Sequence, residues 1–304
     1  MGRPNASFPT RGFLIHEGMD TAPFDASQVG AHPSHVLRKV TAEDGYELTY
    51  RTWKPDDEPK GAIVLFNGIM SHSGWFGPVV APLLASGYAL VGADRRGSGL
   101  NEQARGDAPS AKHIVQDALG IIEDAVPGDQ PLLLAGWCWG SILALNLLRP
   151  LGDRTTALAL LTPGLFPTQA VVDAATEGKK AHADAPDDAA VVPVPIADEM
   201  FTHGPSLDSF VRVDPLKLGA TTPRFLGNTK KLGMGAHMAL RKLPVPTLVV
   251  MAEGDEATDN ADVQKAIAKL DVTATTIPGA HGLQFDAPEA LAGALVEFFD
   301  GIAK

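Results

Sequence analysis

Five residues, Gly136-Trp137-Cys138-Trp139-Gly140, constrain this chain more than any other segment. The apolar run before them, Pro131-Leu132-Leu133-Leu134-Ala135, reads as a buried strand. The run after them, Ser141-Ile142-Leu143-Ala144-Leu145-Asn146-Leu147-Leu148, reads as an apolar helix. A strand that becomes a helix across five residues must turn sharply. The positions two before and two after the apex then come too close to other backbone for side chains, and both are glycine. A side chain at such an apex stands clear of the turn at the strand end, where a substrate can meet it.

The apex residue, Cys138, is the sole cysteine among 304 residues, so no intrachain disulfide can form. Its thiolate is the reactive form, and the N-terminus of the helix starting near Trp139 favours the anion. His281, in Pro278-Gly279-Ala280-His281-Gly282, follows the last expected strand, where a loop can place an imidazole over the apex as general base. Asp255, after the strand expected over 246–251, is placed to accept from the far nitrogen of that imidazole and fix its tautomer. Asp259, four residues on, is the alternative acid. For the oxyanion of a tetrahedral intermediate, one N–H is expected from Trp139 and one from the loop after Asn67-Gly68, at Ile69 with Met70 as second choice. Met70, Trp75 and Trp137 are candidate substrate-lining residues. Phe76 and Trp139 share the aromatic character, and packing is an equal reading for all of these aromatics.

Regular alternation of strands and helices supports a mostly parallel sheet covered on both faces. Residues 1–34 lack periodicity and read as an N-terminal arm. A hairpin is expected around Asp44-Gly45. Core patterning then runs over 35–164 and resumes over 244–304. Between them, residues 165–243 are rich in Pro, Ala, Asp and Gly, including Asp184-Ala185-Pro186-Asp187-Asp188, and read as an irregular cap or lid. Asp94-Arg95-Arg96-Gly97-Ser98-Gly99 fits no phosphate-binding template and reads as a structural turn near the site.

Net charge is −11, which argues against a nucleic-acid partner. No HExxH spacing occurs and a lone cysteine permits no CxxC, so neither a metal nor a cofactor is expected. The N-terminal residues lack the apolar run of a secretion signal, and no stretch approaches membrane-spanning length, so the expectation is a cytoplasmic protein without a stable membrane anchor. Oligomeric state is open.

From Asn67 to Asn101 the chain reads Asn67-Gly68-Ile69-Met70-Ser71-His72-Ser73-Gly74-Trp75-Phe76, then Asp94-Arg95-Arg96-Gly97-Ser98-Gly99. This resembles the monoacylglycerol lipase and serine aminopeptidase branch of the α/β-hydrolases, which carries HG-x-x-x-HSG-aromatic followed by D-x-RG-x-G. The resemblance runs from about residue 36 to the C-terminus except for the cap. It implies the α/β-hydrolase fold, a triad carried by Cys138, Asp255 and His281, an oxyanion hole from Ile69 and Trp139, and a cap lining an apolar tunnel. Two residues depart from the pattern: Asn67 stands for the family histidine, and Cys138 for the family serine.

Cysteine at the apex changes the expected chemistry. Transfer from a thioester donor to a thiolate is nearly energy-neutral and keeps the acyl group activated. An oxygen ester or amide is a poorer donor, because the tetrahedral intermediate expels thiolate more readily than alkoxide. The expectation is therefore an acyl-Cys138 enzyme, hydrolase or acyltransferase. Its substrate is a small acyl compound, with coenzyme A or a carrier protein as the candidate thioester donor. The alternatives are a non-catalytic binding protein on the same fold, and a lyase or cyclase using His281 for proton transfer.

Overall fold

The computed structural model describes residues 35–181, 191–204, 210–212 and 214–302. The expected arm over 1–34 lies outside the described residues, as does the stretch 184–188 of the insertion.

Val36–Thr41 (β1) and Glu47–Trp53 (β2) form the antiparallel hairpin around Asp44-Gly45. There follow Gly61–Phe66 (β3), Gly77–Ala85 (α1), Tyr88–Ala93 (β4), Ala111–Ala125 (α2), Leu132–Trp137 (β5), Trp139–Leu151 (α3) and Thr155–Leu161 (β6). The insertion holds Gln169–Ala181 (α4), a short antiparallel pair of Val192–Pro193 (β7) with Ala220–Thr221 (β8), and Pro223–Leu240 (α5). The chain closes with Thr247–Ala252 (β9), Asn260–Ile267 (α6), Thr273–Ile277 (β10), Leu283–Asp286 (α7) and Pro288–Ile302 (α8).

The main sheet has eight strands in the order β1-β2-β4-β3-β5-β6-β9-β10. Among the described strands β2 runs opposite to the rest, pairing antiparallel with β1 and β4, and from β4 to β10 every pairing is parallel. This is the arrangement expected of the α/β-hydrolase fold. Strands β3, β4, β5 and β9 are buried at every position, as continuous apolar strands covered on both faces must be. In β2 exposed or half-buried residues interrupt the buried ones, which fits a strand next to the sheet edge.

The insertion differs from its sequence reading. It is not irregular throughout but carries two substantial helices. Helix α5 begins cleanly: Thr222 caps it by accepting from the Phe225 N–H, and Pro223 occupies its first turn. Gly227, Gly233 and Gly235 inside it lower its intrinsic propensity by up to about 1 kcal/mol each and hide it from a propensity reading. Gly235 has a packing reason, because a Cβ there would collide with Asn146 on α3. The Asn146 side chain in turn donates to the Leu232 carbonyl at 2.9 Å and so fastens α5 to α3.

All the chemistry-bearing candidates follow C-terminal strand ends. Asn67 follows β3, Arg95 follows β4, Cys138 follows β5, Asp255 follows β9 and His281 follows β10. Parallel strands thus bring residues remote in sequence to one edge of the sheet.

Candidate active site

At the end of β5 the backbone turns through Cys138 at φ 54° and ψ −119°, a conformation that costs a residue with a Cβ about 1–3 kcal/mol. The surroundings enforce it. The Cys138 N–H donates to Leu161 O at 2.9 Å, and its carbonyl accepts from Ser141 and Gly164 at 3.1 and 3.0 Å. A Cβ on Gly136 would lie 2.6 Å from Ser141 Cα, and one on Gly140 2.6 Å from the Phe66 carbonyl carbon. The two glycines are thus required by close backbone approach. Trp139 opens α3, where its N–H has no partner within the helix.

His281 is wholly buried. Its Nδ1 faces both carboxylate oxygens of Asp255, at 2.9 and 3.0 Å, so Nδ1–H is the donor and Nε2 is turned elsewhere. Among the described residues Nε2 has no hydrogen-bond partner of ordinary geometry. Burial works against charge on this imidazole. Interactions with Cys138 and with the Asp255 carboxylate outweigh it and push the His281 pKa up to about 10. The same interaction ties His281 to Cys138 electrostatically. Asp255 is oriented by the N–H groups of Ala257 and Thr258, at 2.9 and 2.8 Å. Asp259, the alternative acid, instead caps α6 by accepting from the Ala261 and Asp262 N–H groups.

Three contacts on the His281 backbone escaped the sequence reading. Trp137 Nε1 and Thr162 Oγ1 both donate to the His281 carbonyl, at 2.9 and 3.1 Å. The His281 N–H donates to Met200 O in the insertion at 3.1 Å. Trp137, expected as a substrate-lining residue, is placed to hold the histidine loop. Trp75, expected in the same role, packs at 5.8 Å from Trp137 and donates its indole N–H to Asp214 at 2.5 Å. Asp214 also faces His72 Nε2 at 3.1 Å, which makes a second buried His–Asp pair. Burial raises the Asp214 pKa, but His72, Trp75 and the Leu216 N–H hold it below the ordinary carboxylate value.

The loop after β3 passes directly beside the elbow, since a Cβ on Gly68 would meet Cys138 Cβ at 3.3 Å. The carbonyls of Gly68, Ile69, Met70 and Ser71 are all engaged. Asn67 Nδ2 donates to Gly68 O at 3.0 Å and Ser71 O at 2.5 Å. Arg95 donates to Gly68 O at 3.1 Å and to Ile69 O. Met70 O accepts from Leu218 N–H at 2.7 Å. Among the described residues no backbone acceptor takes the N–H of Ile69 or Met70. The turn after β4 fixes this loop from behind: Asp94 accepts from Ser73 N–H at 2.5 Å and Leu100 N–H at 3.0 Å. A separate cavity of about 880 Å³, bordered by Asp44, Arg96, His113 and Asp117, contains none of these candidate residues.

Comparison with known proteins gives a consistent picture. The family model described as serine aminopeptidase, S33, matches residues 57–287. A monoacylglycerol lipase of Mycolicibacterium smegmatis is 28% identical over 264 residues, covering 81% of this chain and 89% of that protein. An abhydrolase domain-containing protein of Dictyostelium discoideum is 28% identical over 130 residues, and the aligned stretch spans 14% of its length. In fold the chain is similar to a monoacylglycerol lipase of Paleococcus ferrophilus, at TM-score 0.70 and 19% identity over 84% of this chain and 99% of the other. It is also similar to a thioesterase domain from the curacin biosynthetic pathway, at TM-score 0.60 and 18% identity over 87% and 99%.

Proposed function

This chain belongs to the serine aminopeptidase S33 family of α/β-hydrolases, and on that premise we propose that it forms an acyl-Cys138 intermediate from an acyl thioester or ester. It is an enzyme of the α/β-hydrolase type. The observation that carries the finer reading is the His281 imidazole, fixed by Asp255 on one side and electrostatically tied to Cys138 on the other.

In this reading the Cys138 thiolate attacks the acyl carbonyl carbon, and a C–S bond forms. Negative charge moves to the carbonyl oxygen, where the N–H groups of Ile69 and Trp139 stabilise it. The tetrahedral species collapses, the bond to the donor thiol or alcohol breaks, and the leaving group takes the proton from His281 Nε2. Water, an amine or an alcohol then attacks the thioester while His281 accepts its proton, and Cys138 leaves as thiolate. Asp255 holds the imidazole in one tautomer throughout. Residues 165–243 act as a cap over the core of 35–164 and 244–304, and its closure favours transfer over hydrolysis by excluding water. Met70, Trp75 and Trp137 border the acyl group. The fold likeness to a thioesterase domain supports a thioester donor, and the lipase relative supports an apolar acyl chain.

A panel of acyl-coenzyme A thioesters and p-nitrophenyl esters of matched chain length tests this. Thioester turnover exceeding oxygen-ester turnover, abolished in Cys138→Ala, is the expected result. Turnover retained in Cys138→Ala would instead support a lyase or cyclase acting through His281.

A further inference from the structure

Arg95 is a buried cation with no carboxylate in ion-pair contact among the described residues. Among the neighbouring arginines, Arg51 faces Asp94 at 3.4 Å, and Arg96 faces Asp117 and Asp44 at 2.5 and 2.7 Å. No carboxylate among the described residues forms an ion pair with Arg95 within 4.0 Å. Its guanidinium instead lies over the rings of Trp139 and Phe225, at 5.0 and 5.1 Å from their centroids. Two of its nitrogens donate to successive carbonyls, Gly68 O and Ile69 O. Burial lowers its pKa to about 9, with Asp94 and Cys138 opposing the fall, so it carries its charge at neutral pH.

These contacts have a direction. A peptide's N–H and C=O point opposite ways, so pulling the Gly68 carbonyl back turns the Ile69 N–H forward, and pulling the Ile69 carbonyl back does the same for Met70. The elbow lies beside this segment, because a Cβ on Gly68 would meet Cys138 Cβ at 3.3 Å. The aromatic partner Trp139 supplies the other expected N–H. One side chain thus contacts residues from both halves of the expected oxyanion hole, and it does so as a buried charge in a water-poor interior.

We propose that Arg95 is a positioning residue for the acyl-transfer reaction, holding the Gly68 and Ile69 carbonyls back so that the Ile69 and Met70 N–H groups face the acyl oxygen, while its charge favours the anions formed at Cys138 and at that oxygen. The proposal rests on the acyl-Cys138 reading, but part of its test does not.

Arg95→Met, Arg95→Gln and Arg95→Lys separate the contributions. Because Cys138 is the sole cysteine, the ultraviolet absorbance of its thiolate can be titrated without substrate, with Cys138→Ala as blank. In Arg95→Met and Arg95→Gln the titration is expected to move up by about one pH unit. In Arg95→Lys it stays near wild type. With a thioester substrate, kcat is expected to fall about 100-fold in Arg95→Met while KM changes less than about threefold, as for loss of an oxyanion contact. Lys restores part of kcat, since it keeps the charge but not the fork. Gln retains an amide donor and serves where Met prevents folding. A wild-type thiolate titration in the Gln and Met variants, or a loss carried by KM alone, overturns the proposal. If no acyl donor is turned over by wild type, the titration alone decides it, and the acyl-transfer reading fails separately.

Discussion

Trp137 donates its indole N–H to the carbonyl oxygen of His281 at 2.9 Å, so the residue just before the apex of the elbow holds the loop that bears the imidazole. The two rings also lie 5.7 Å apart. The proposed nucleophile and base are therefore positioned by one shared hydrogen bond as well as by the sheet. Trp137→Phe keeps an aromatic ring and removes the donor. Thr162 still binds the same carbonyl, so the expected loss of stability is about 1 kcal/mol. Turnover is expected to fall more than that stability loss explains, through kcat rather than KM. Denaturant unfolding and steady-state kinetics on the same preparation check it.

Asp255 and Asp259 separate cleanly by experiment. Asp255→Asn removes the carboxylate that fixes His281, and turnover is expected to fall about 10⁴-fold, as for the corresponding change in a serine triad. Asp259→Ala removes a helix cap and is expected to cost about 1 kcal/mol with turnover unchanged. Reversal of the two effects would assign the acid to Asp259.

The raised pKa of His281 has a definite sign. Its folded value of about 10 lies above the ordinary 6.5. The stabilisation from its protonated form is therefore complete below about pH 6.5 and is lost as pH rises toward 10. Cys138→Ser removes the thiolate, so the His281 titration, followed by NMR of the imidazole, is expected to move down. A wild-type imidazole that titrates near 6.5 would contradict the pairing. The same variant is expected to lose preference for thioesters over oxygen esters.

Asp214 joins the insertion to the loop beside the elbow. It is the shared partner of His72 and Trp75, and Leu218 N–H reaches Met70 O close by. Asp214→Ala orphans three buried donors at once, the ring N–H groups of His72 and Trp75 and the Leu216 N–H, and a loss of roughly 3–9 kcal/mol is expected from about 1–3 for each. Calorimetry measures the loss. A drop below 1 kcal/mol would show that the site tolerates the change by admitting water.

The sheet was legible because its central strands are continuous apolar runs. The elbow was legible because a steric rule, not a propensity, places its two glycines. The insertion was less so: α5 is interrupted by glycines, and its stability comes from α3, which is remote in sequence. The supporting contacts were invisible for a similar reason. Thr162, Asp214 and Arg95 act through backbone carbonyls or distant side chains, and no local pattern marks them.

The central claim is a covalent acyl-Cys138 intermediate. Intact mass spectrometry, after rapid quenching of the protein with an acyl-coenzyme A thioester, tests it most directly. The expected result is a mass increase of one acyl group that is absent in Cys138→Ala and accumulates in Asp255→Asn. Turnover without any adduct in either, under conditions where substrate is consumed, would contradict the account.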